Sequence, residues 1–402
     1  MHTITKLVVA HLGLQLLSAV AVAQPYAYVT EKHGDSVTVI DTKANSVADT
    51  VEVGQSPSGV AVSPDGGFVY AVNASSHSNS VSVIDTSTDD ISATVRVGTN
   101  PLGVAVAPNG THVYVTNAGA NSVSVINATT NTVATTIAVG HSPAGIAVTP
   151  DSGFVYVANS QTFQTPAAGT VSVIDAAQLK VVTTIAAGSN PFGVAVTPNG
   201  RFVYVTNSNS LDVAGPGTVL VIEVATNKVG TPIPVGGNPL GVDITPDSRF
   251  AYVTNFSSNS VSIIDTTTQS VVDTVQVGSG PLGIALTADG GFAYVANRQP
   301  FNVTALGTVS VIDTGTHGVV ATIPVGENPT SIAIAAPVPS ACAGDCDDDG
   351  EVSVDELIRG VDIALGALAV NACTAFDTQR DGVVTIAELT TAVSNALTGC
   401  PR

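Results

Sequence analysis

The densest chemistry in the sequence is a run of carboxylates near the C-terminus, Asp345-Cys346-Asp347-Asp348-Asp349-Gly350-Glu351-Val352-Ser353-Val354-Asp355-Glu356. Ca²⁺ is a hard cation that takes six to eight oxygens. A twelve-residue loop supplies them from positions 1, 3, 5, 7, 9 and 12, with glycine at 6 for the sharp turn. In this run Asp345, Asp347 and Asp349 offer side-chain oxygens, Glu351 its carbonyl, Ser353 a held water and Glu356 both carboxylate oxygens. A second copy runs from Asp377 through Gln379, Asp381, Gly382, Val383 and Thr385 to Glu388. There the neutral Gln379 and the positive charge of Arg380 predict weaker binding. Calcium is the cofactor these residue types imply.

The elements around the loops agree with a small calcium module at 342–402. All four cysteines, Cys342, Cys346, Cys373 and Cys400, fall in it, which predicts two disulfides. Their spacing matches no common zinc pattern. Four cysteines allow three connectivities, and a clasp between Cys342 and Cys400 is the hypothesis that would tie the ends of the module together. An amphipathic helix follows each loop, with Leu357, Val361, Leu365 and Leu368 on one face of the first and Ile386, Leu389, Val393 and Leu397 on one face of the second. Residues 336–341, with Pro337 and Pro339, read as a stiff linker from the preceding domain.

The rest of the chain offers little for catalysis. Its histidines form no metal-ligand pair, and Gly140-His141-Ser142-Pro143-Ala144 misses the G-x-S-x-G nucleophile elbow at its last position. Asp243 is one acid where the other repeats carry Ala, so it is a candidate ligand facing a channel. Thirty-one Asp and Glu against 12 Lys and Arg give a formal net charge of −19, a field that repels nucleic acid and anionic membrane surfaces. Residues 1–23 have the form of a secretory signal, with Lys6, an apolar run and Ala21-Val22-Ala23, and no later stretch has the length of a membrane span. The mature chain is therefore expected outside the cytoplasm, secreted, on the cell surface or in the periplasm.

What must position any site is a repeat. Tyrosines recur at 28, 70, 114, 156, 204, 252 and 294, and prolines of Val-Gly-x-x-Pro-type segments at 57, 101, 143, 191, 239, 281 and 329. Each unit holds four short alternating runs separated by turn residues such as Pro108-Asn109-Gly110, which makes one four-stranded antiparallel blade per unit. The array from 24 to 335 opens on a second strand and ends on a first strand, so seven complete blades exist only if the last strand pairs with the first blade. That arrangement favours a closed all-β seven-bladed propeller over an open solenoid.

The motif stands as Tyr114-Val115-Thr116-Asn117, Tyr204-Val205-Thr206-Asn207 and Tyr252-Val253-Thr254-Asn255. Residues 26–335 thereby resemble the YVTN family of β-propeller repeats found in exported and surface-layer-like proteins. The two loop-plus-helix units resemble a dockerin, with Glu in place of the usual Asp at position twelve. With no catalytic constellation in the residues, the reading is an exported, non-catalytic binding or surface protein. Its partner would be an extracellular protein or polysaccharide, a cohesin-like scaffold among them. The alternative the resemblances imply is a secreted hydrolase of lactonase or glycosidase type. Three long second-to-third-strand connections, carrying Phe163, Leu211 and Phe301, together with Asp243, mark the face where a ligand is expected.

Overall fold

The computed structural model describes residues 26–75, 78–160, 168–208, 216–298, 306–335, 344, 346, 352–368, 373, 376 and 384–398. The repeat yields seven separate antiparallel sheets. Blade 3 shows the pattern: an inner strand Pro101–Val106, then His112–Asn117, Ser122–Asn127 and an outer strand Thr132–Ala138. Its second and third strands are buried on both faces, because each sheet is packed between two neighbours. Small β-branched residues fill those interfaces, and one fully buried tyrosine per blade supplies bulk. The outer strand is exposed at most of its positions, as an edge should be.

The ring closes as the order of the repeats predicts. Pro329–Ile334 pairs antiparallel with Tyr26–Glu31, in the register Ala27↔Ile334 and Val29↔Ile332, and completes blade 1 with Ser36–Asp41 and Ser46–Glu52. The outer strand of blade 5 departs from the expected pattern. It is split into Lys228–Val229 and Ile233–Gly237 around Pro232, which cannot donate to the ladder.

Turn chemistry accounts for much of the acidity. Asp41, Asp85, Asp175 and Asp265 each accept backbone N–H groups two or three residues on, closing third-to-fourth-strand turns. Asp65, Asp151, Asp247 and Asp289 do the same in first-to-second-strand turns.

Glycine recurs at the third residue of six inner strands for a steric reason. A Cβ on Gly103 would lie 2.4 Å from the carbonyl oxygen of Ala144 in the next blade, and one on Gly145 would lie 2.2 Å from that of Phe192. Inner strands of adjacent blades therefore meet backbone to backbone around the axis.

The C-terminal unit, from residue 338 on, is separate from the propeller unit at 24–337. Helix α1 spans Val354–Ala364 and begins in a capping box in which Ser353 and Glu356 satisfy each other's backbone N–H groups. Helix α2 spans Ile386–Thr398. The small core gathers Ile363, Cys373, Phe376, Val384 and Ala392, with Leu357 and Leu389 packed against it, and Phe376 lies directly over Gly360.

The expected helix faces need correction. Leu357 and Leu389 turn inward, but Val361, Leu365, Leu368, Ile386 and Val393 are exposed. The inward stripe of α1 is Leu357, Gly360 and Ile363, so the helix is rotated relative to the apolar pattern that was expected to be buried. Leu397 lies among residues whose side chains are not described. Cys346 and Cys373 are joined by a disulfide with a Cα–Cα distance of 5.1 Å. Cys342 and Cys400, the proposed clasp, lie outside the described residues, as does the signal segment 1–23.

Gly145→Ala should destabilise the propeller by about 1–3 kcal/mol, because backbone must shift to admit the methyl group. Gly67→Ala, whose Cβ would meet its first neighbour at 3.5 Å, should stay within about 0.5 kcal/mol of the parent. Urea denaturation of the two variants provides the comparison.

Candidate functional site

The inner strands enclose an axial cavity of about 290 Å³. The threonine of the repeated motif braces it. Thr116, Thr206 and Thr254 each accept from the glycine N–H of their own inner strand at 2.8 Å and donate to a carbonyl of the next blade's inner strand at 2.7–2.8 Å. These hydroxyls stitch one blade to the next beside the channel, so the cavity wall is rigid.

Seven equivalent positions follow the second strands, and two of them reach one mouth of the cavity. The residues that follow the second strands, Lys32, Ala74, Ala118, Ser160, Ser208, Phe256 and Arg298, each donate their backbone N–H to the carbonyl of a residue just before the inner-strand proline. That acceptor has positive φ in every blade, as Ser56, Asn100, Ser142, Asn190, Asn238, Gly280 and Asn328. Ser142, the serine of the near-miss elbow, is thereby part of a turn repeated seven times. These bonds place second-to-third-strand connections and blade-to-blade connections on one face.

Only in blades 1 and 7 does a cation occupy this position, and Lys32 and Arg298 both line the cavity. Burial lowers the pKa of Lys32, and the neighbouring charge of Arg298 lowers it further. Burial likewise lowers that of Arg298. Asn328 accepts from Arg298 Nε at 3.3 Å and contacts His33 Nδ1 through its amide nitrogen at 2.6 Å, which orients both side chains. Next to Lys32, Glu31 stands where other blades have the motif asparagine. It is buried and engaged by Ser36, Thr38 and the Gly326 N–H.

The same face carries the extended hairpins. Third strands Ala168–Asp175, Pro216–Glu223 and Leu306–Asp313 run eight residues where the other blades have six. The connections leading into them, with Phe163, Leu211 and Phe301, lie outside the described residues.

Asp243 is deep in the ring while part of its surface stays accessible. Its two carboxylate oxygens accept the N–H groups of Ile244 and Leu286, each at 2.8 Å, so it ties blade 6 to the inner strand of blade 7. Burial raises its pKa to about 6 against the opposing effect of those two bonds. The sequence reading of Asp243 as a channel ligand gives way to a bracing role between strands, because both oxygens are already used by main chain.

In the C-terminal unit, Glu356 accepts from the N–H groups of Cys346 and Ser353 at 2.6 and 2.7 Å, and Glu388 from the Thr385 N–H and hydroxyl at 2.8 and 2.9 Å. Both glutamates are buried. The remaining loop residues, Asp345, Asp347, Asp349, Glu351, Asp377, Gln379, Asp381 and Val383, lie outside the described residues. Among the described residues no three His, Cys, Asp or Glu side chains gather as a metal site.

Lys32 and Arg298 escaped the sequence reading because they sit near opposite ends of the propeller sequence. Aligning the residue after each Tyr-x-x-Asn-type strand gives the column Lys, Ala, Ala, Ser, Ser, Phe, Arg, and ring closure makes its first and last members neighbours.

A family described as lactonase, seven-bladed β-propeller, matches residues 27–139, 127–229 and 162–283. The chain belongs to this lactonase propeller family. Among solved structures, this lactonase-family propeller is similar to a hydrazine synthase from Kuenenia stuttgartiensis, with a TM-score of 0.64 and 25% identity over 76% of this chain and 99% of that one. It shares its fold with a functionally unknown protein from Desulfotomaculum acetoxidans, with a TM-score of 0.65 and 16% identity over 78% and 99% of the two chains. It also shares it with the dihydro-heme d1 dehydrogenase NirN, with a TM-score of 0.56 and 17% identity over 76% and 74%. No curated protein matches the sequence.

The carboxylates give the lactonase-family propeller opposing pH dependences. Bonds from Ser63, Thr149, Thr245 and Thr287 hold Asp65, Asp151, Asp247 and Asp289 below the usual carboxylate range. Their stabilisation is present above that range and lost as pH falls through the folded values. Asp243 works in reverse, since its raised value makes the folded state hold a proton that the unfolded chain releases from about pH 4 upward. Stability should therefore peak at about pH 4 and decline between about pH 4 and 6, with charged Asp243 costing roughly 3 kcal/mol above that window. In Asp243→Ala the alkaline decline should flatten, as read from urea midpoints across the pH range.

Proposed function

We propose that the chain is an extracytoplasmic binding protein whose propeller presents a recognition face and whose C-terminal unit is a calcium-stabilised docking module. The observation that carries the reading is the axial cavity. Its wall is mostly apolar side chain and backbone with Lys32 and Arg298 at one mouth, it is braced by inter-blade hydrogen bonds, and it opens on the face where three hairpins are lengthened. Rigid concave apolar sites with a few polar groups suit capture of a ligand. The disulfide between Cys346 and Cys373 agrees with an oxidising compartment, and no described helix is long and apolar enough to cross a membrane.

For the C-terminal unit, support comes from the last ligand position of each loop. Glu356 and Glu388 are held by backbone N–H groups of their own loops, and the bond from Cys346 to Glu356 brings the start of the first loop to its end. The oxygen-only donor set of both loops fits calcium, which when bound would neutralise the crowded carboxylates. The exposed row of Val354, Ile358, Val361 and Leu365 on α1 is the surface we assign to a protein partner such as a cohesin-like scaffold.

Membership of the lactonase family favours a second reading, a secreted hydrolase. Turnover of simple lactones or aryl glycosides by the purified chain would establish it. Saturable binding of a polysaccharide or protein without turnover is the outcome expected here.

Calorimetric titration of the oxidised chain with Ca²⁺ should give a Kd of about 10⁻⁴ M or tighter. Glu356→Gln should remove the stronger site and Glu388→Gln the weaker one. A chain whose melting temperature and heat are indifferent to Ca²⁺ and chelator would remove calcium from this reading.

A further inference from the structure

Eight of the 12 Lys and Arg residues lie between 26 and 335, and two of those eight meet at one cavity mouth. In a chain of net charge −19, scattered cations would find carboxylates easily. Lys32 makes no salt bridge to a described residue and has Arg298 as its neighbouring charge. Two half-buried like charges side by side destabilise a fold, and such local conflicts concentrate at sites where a ligand binds.

The lip of the cavity is two-sided in the same sense. The residue before each inner-strand glycine, or its equivalent, is Thr330 in blade 1 and Ser58 in blade 2, beside Lys32. In blades 3 to 7 the same position is Leu102, Ala144, Phe192, Leu240 and Leu282. No Asp or Glu is among the residues that line the cavity. Polar and cationic groups thus collect at the seam where the ring closes, and apolar side chains take the rest of the lip, Leu282 of blade 7 included.

We propose that this mouth binds a small amphiphilic carboxylate, with its acid group between Lys32 and Arg298 and its apolar body against Leu102, Phe192, Leu240 and Leu282. The proposal rests on the reading of the propeller as a binding module and names its ligand class. Arginine matches the planar, two-oxygen geometry of a carboxylate, and lysine adds a second point charge. Asn328 holds the guanidinium in place at 3.3 Å from Nε. A sugar phosphate would need polar partners along its whole length, and the leucine and phenylalanine side of this cavity supplies none.

Hexanoate, acetate, hexan-1-ol and inorganic phosphate, titrated separately into the full mature chain, test the assignment. Hexanoate should bind one to one, with the other three at least about tenfold weaker, since each lacks either the charge or the apolar body. Lys32→Met and Arg298→Met should each weaken hexanoate by at least about tenfold. Lys32→Met should melt at the same temperature as the parent or higher, because it removes a desolvated charge; this separates a ligand-binding role from a structural one. Hexanoate binding that is absent, unchanged in both variants, or matched by phosphate would overturn the site. So would a lowered melting temperature in Lys32→Met with binding intact. If the protein hydrolyses a lactone and hexanoate inhibits it competitively in a Lys32-dependent way, the anion site stands and only the non-catalytic reading falls.

Discussion

Backbone-to-backbone contact around the axis is the constraint on which the rest of the propeller depends. The 2.2–2.4 Å clearances that a Cβ would have at Gly59, Gly103, Gly145, Gly193 and Gly241 leave room for hydrogen alone. Because inner strands pack that closely, a threonine hydroxyl on the adjacent strand can reach a carbonyl of the next blade, and the tapering ring needs only small side chains near its centre. The same tightness leaves an axial cavity of modest volume, so whatever enters it must be slender.

Substitutions in the repeat acquire meaning against this frame. The motif asparagine spans from its strand to two hydroxyls of the next, as Asn117 does to Ser122 and Ser124 at 3.1 and 3.0 Å. At the seam Glu31 takes its place and adds the Gly326 N–H of the preceding blade's outer strand to Ser36 and Thr38. A carboxylate can accept from all three donors, so the junction of chain ends gains a bond that an asparagine amide would make only partly. Asp243 does similar work between blades 6 and 7. Both departures from the repeat are accounted for by main-chain donors, whereas Lys32 and Arg298 have a common cavity as their setting.

The acidic composition has two origins. In the propeller it is largely turn chemistry, with aspartates accepting backbone N–H groups at the hairpin tips. In the C-terminal unit it is concentrated in two loops of calcium-ligand spacing. The net charge of −19 therefore argues against polyanionic partners without pointing to any one ligand.

By itself the sequence determined the blade, the number of blades and the closure of the ring, because alternation, turn residues and the missing first strand are local signals repeated seven times. It also determined the oxygen-ligand spacing of the C-terminal loops, since those positions are contiguous. Tertiary structure alone decided which odd residues matter. Asp243 reads in sequence as an isolated acid in a channel, yet one of its two partners, the Leu286 N–H, belongs to backbone that no spacing rule connects to it. Leu365, at the end of α1, fits an apolar helical pattern but faces outward, because Phe376 lies over Gly360 and sets the inward stripe of that helix. Lys32 and Arg298 become a pair only because the chain's last propeller strand returns to its first blade, and closure of a ring is a non-local event that brings opposite ends of the repeat into contact.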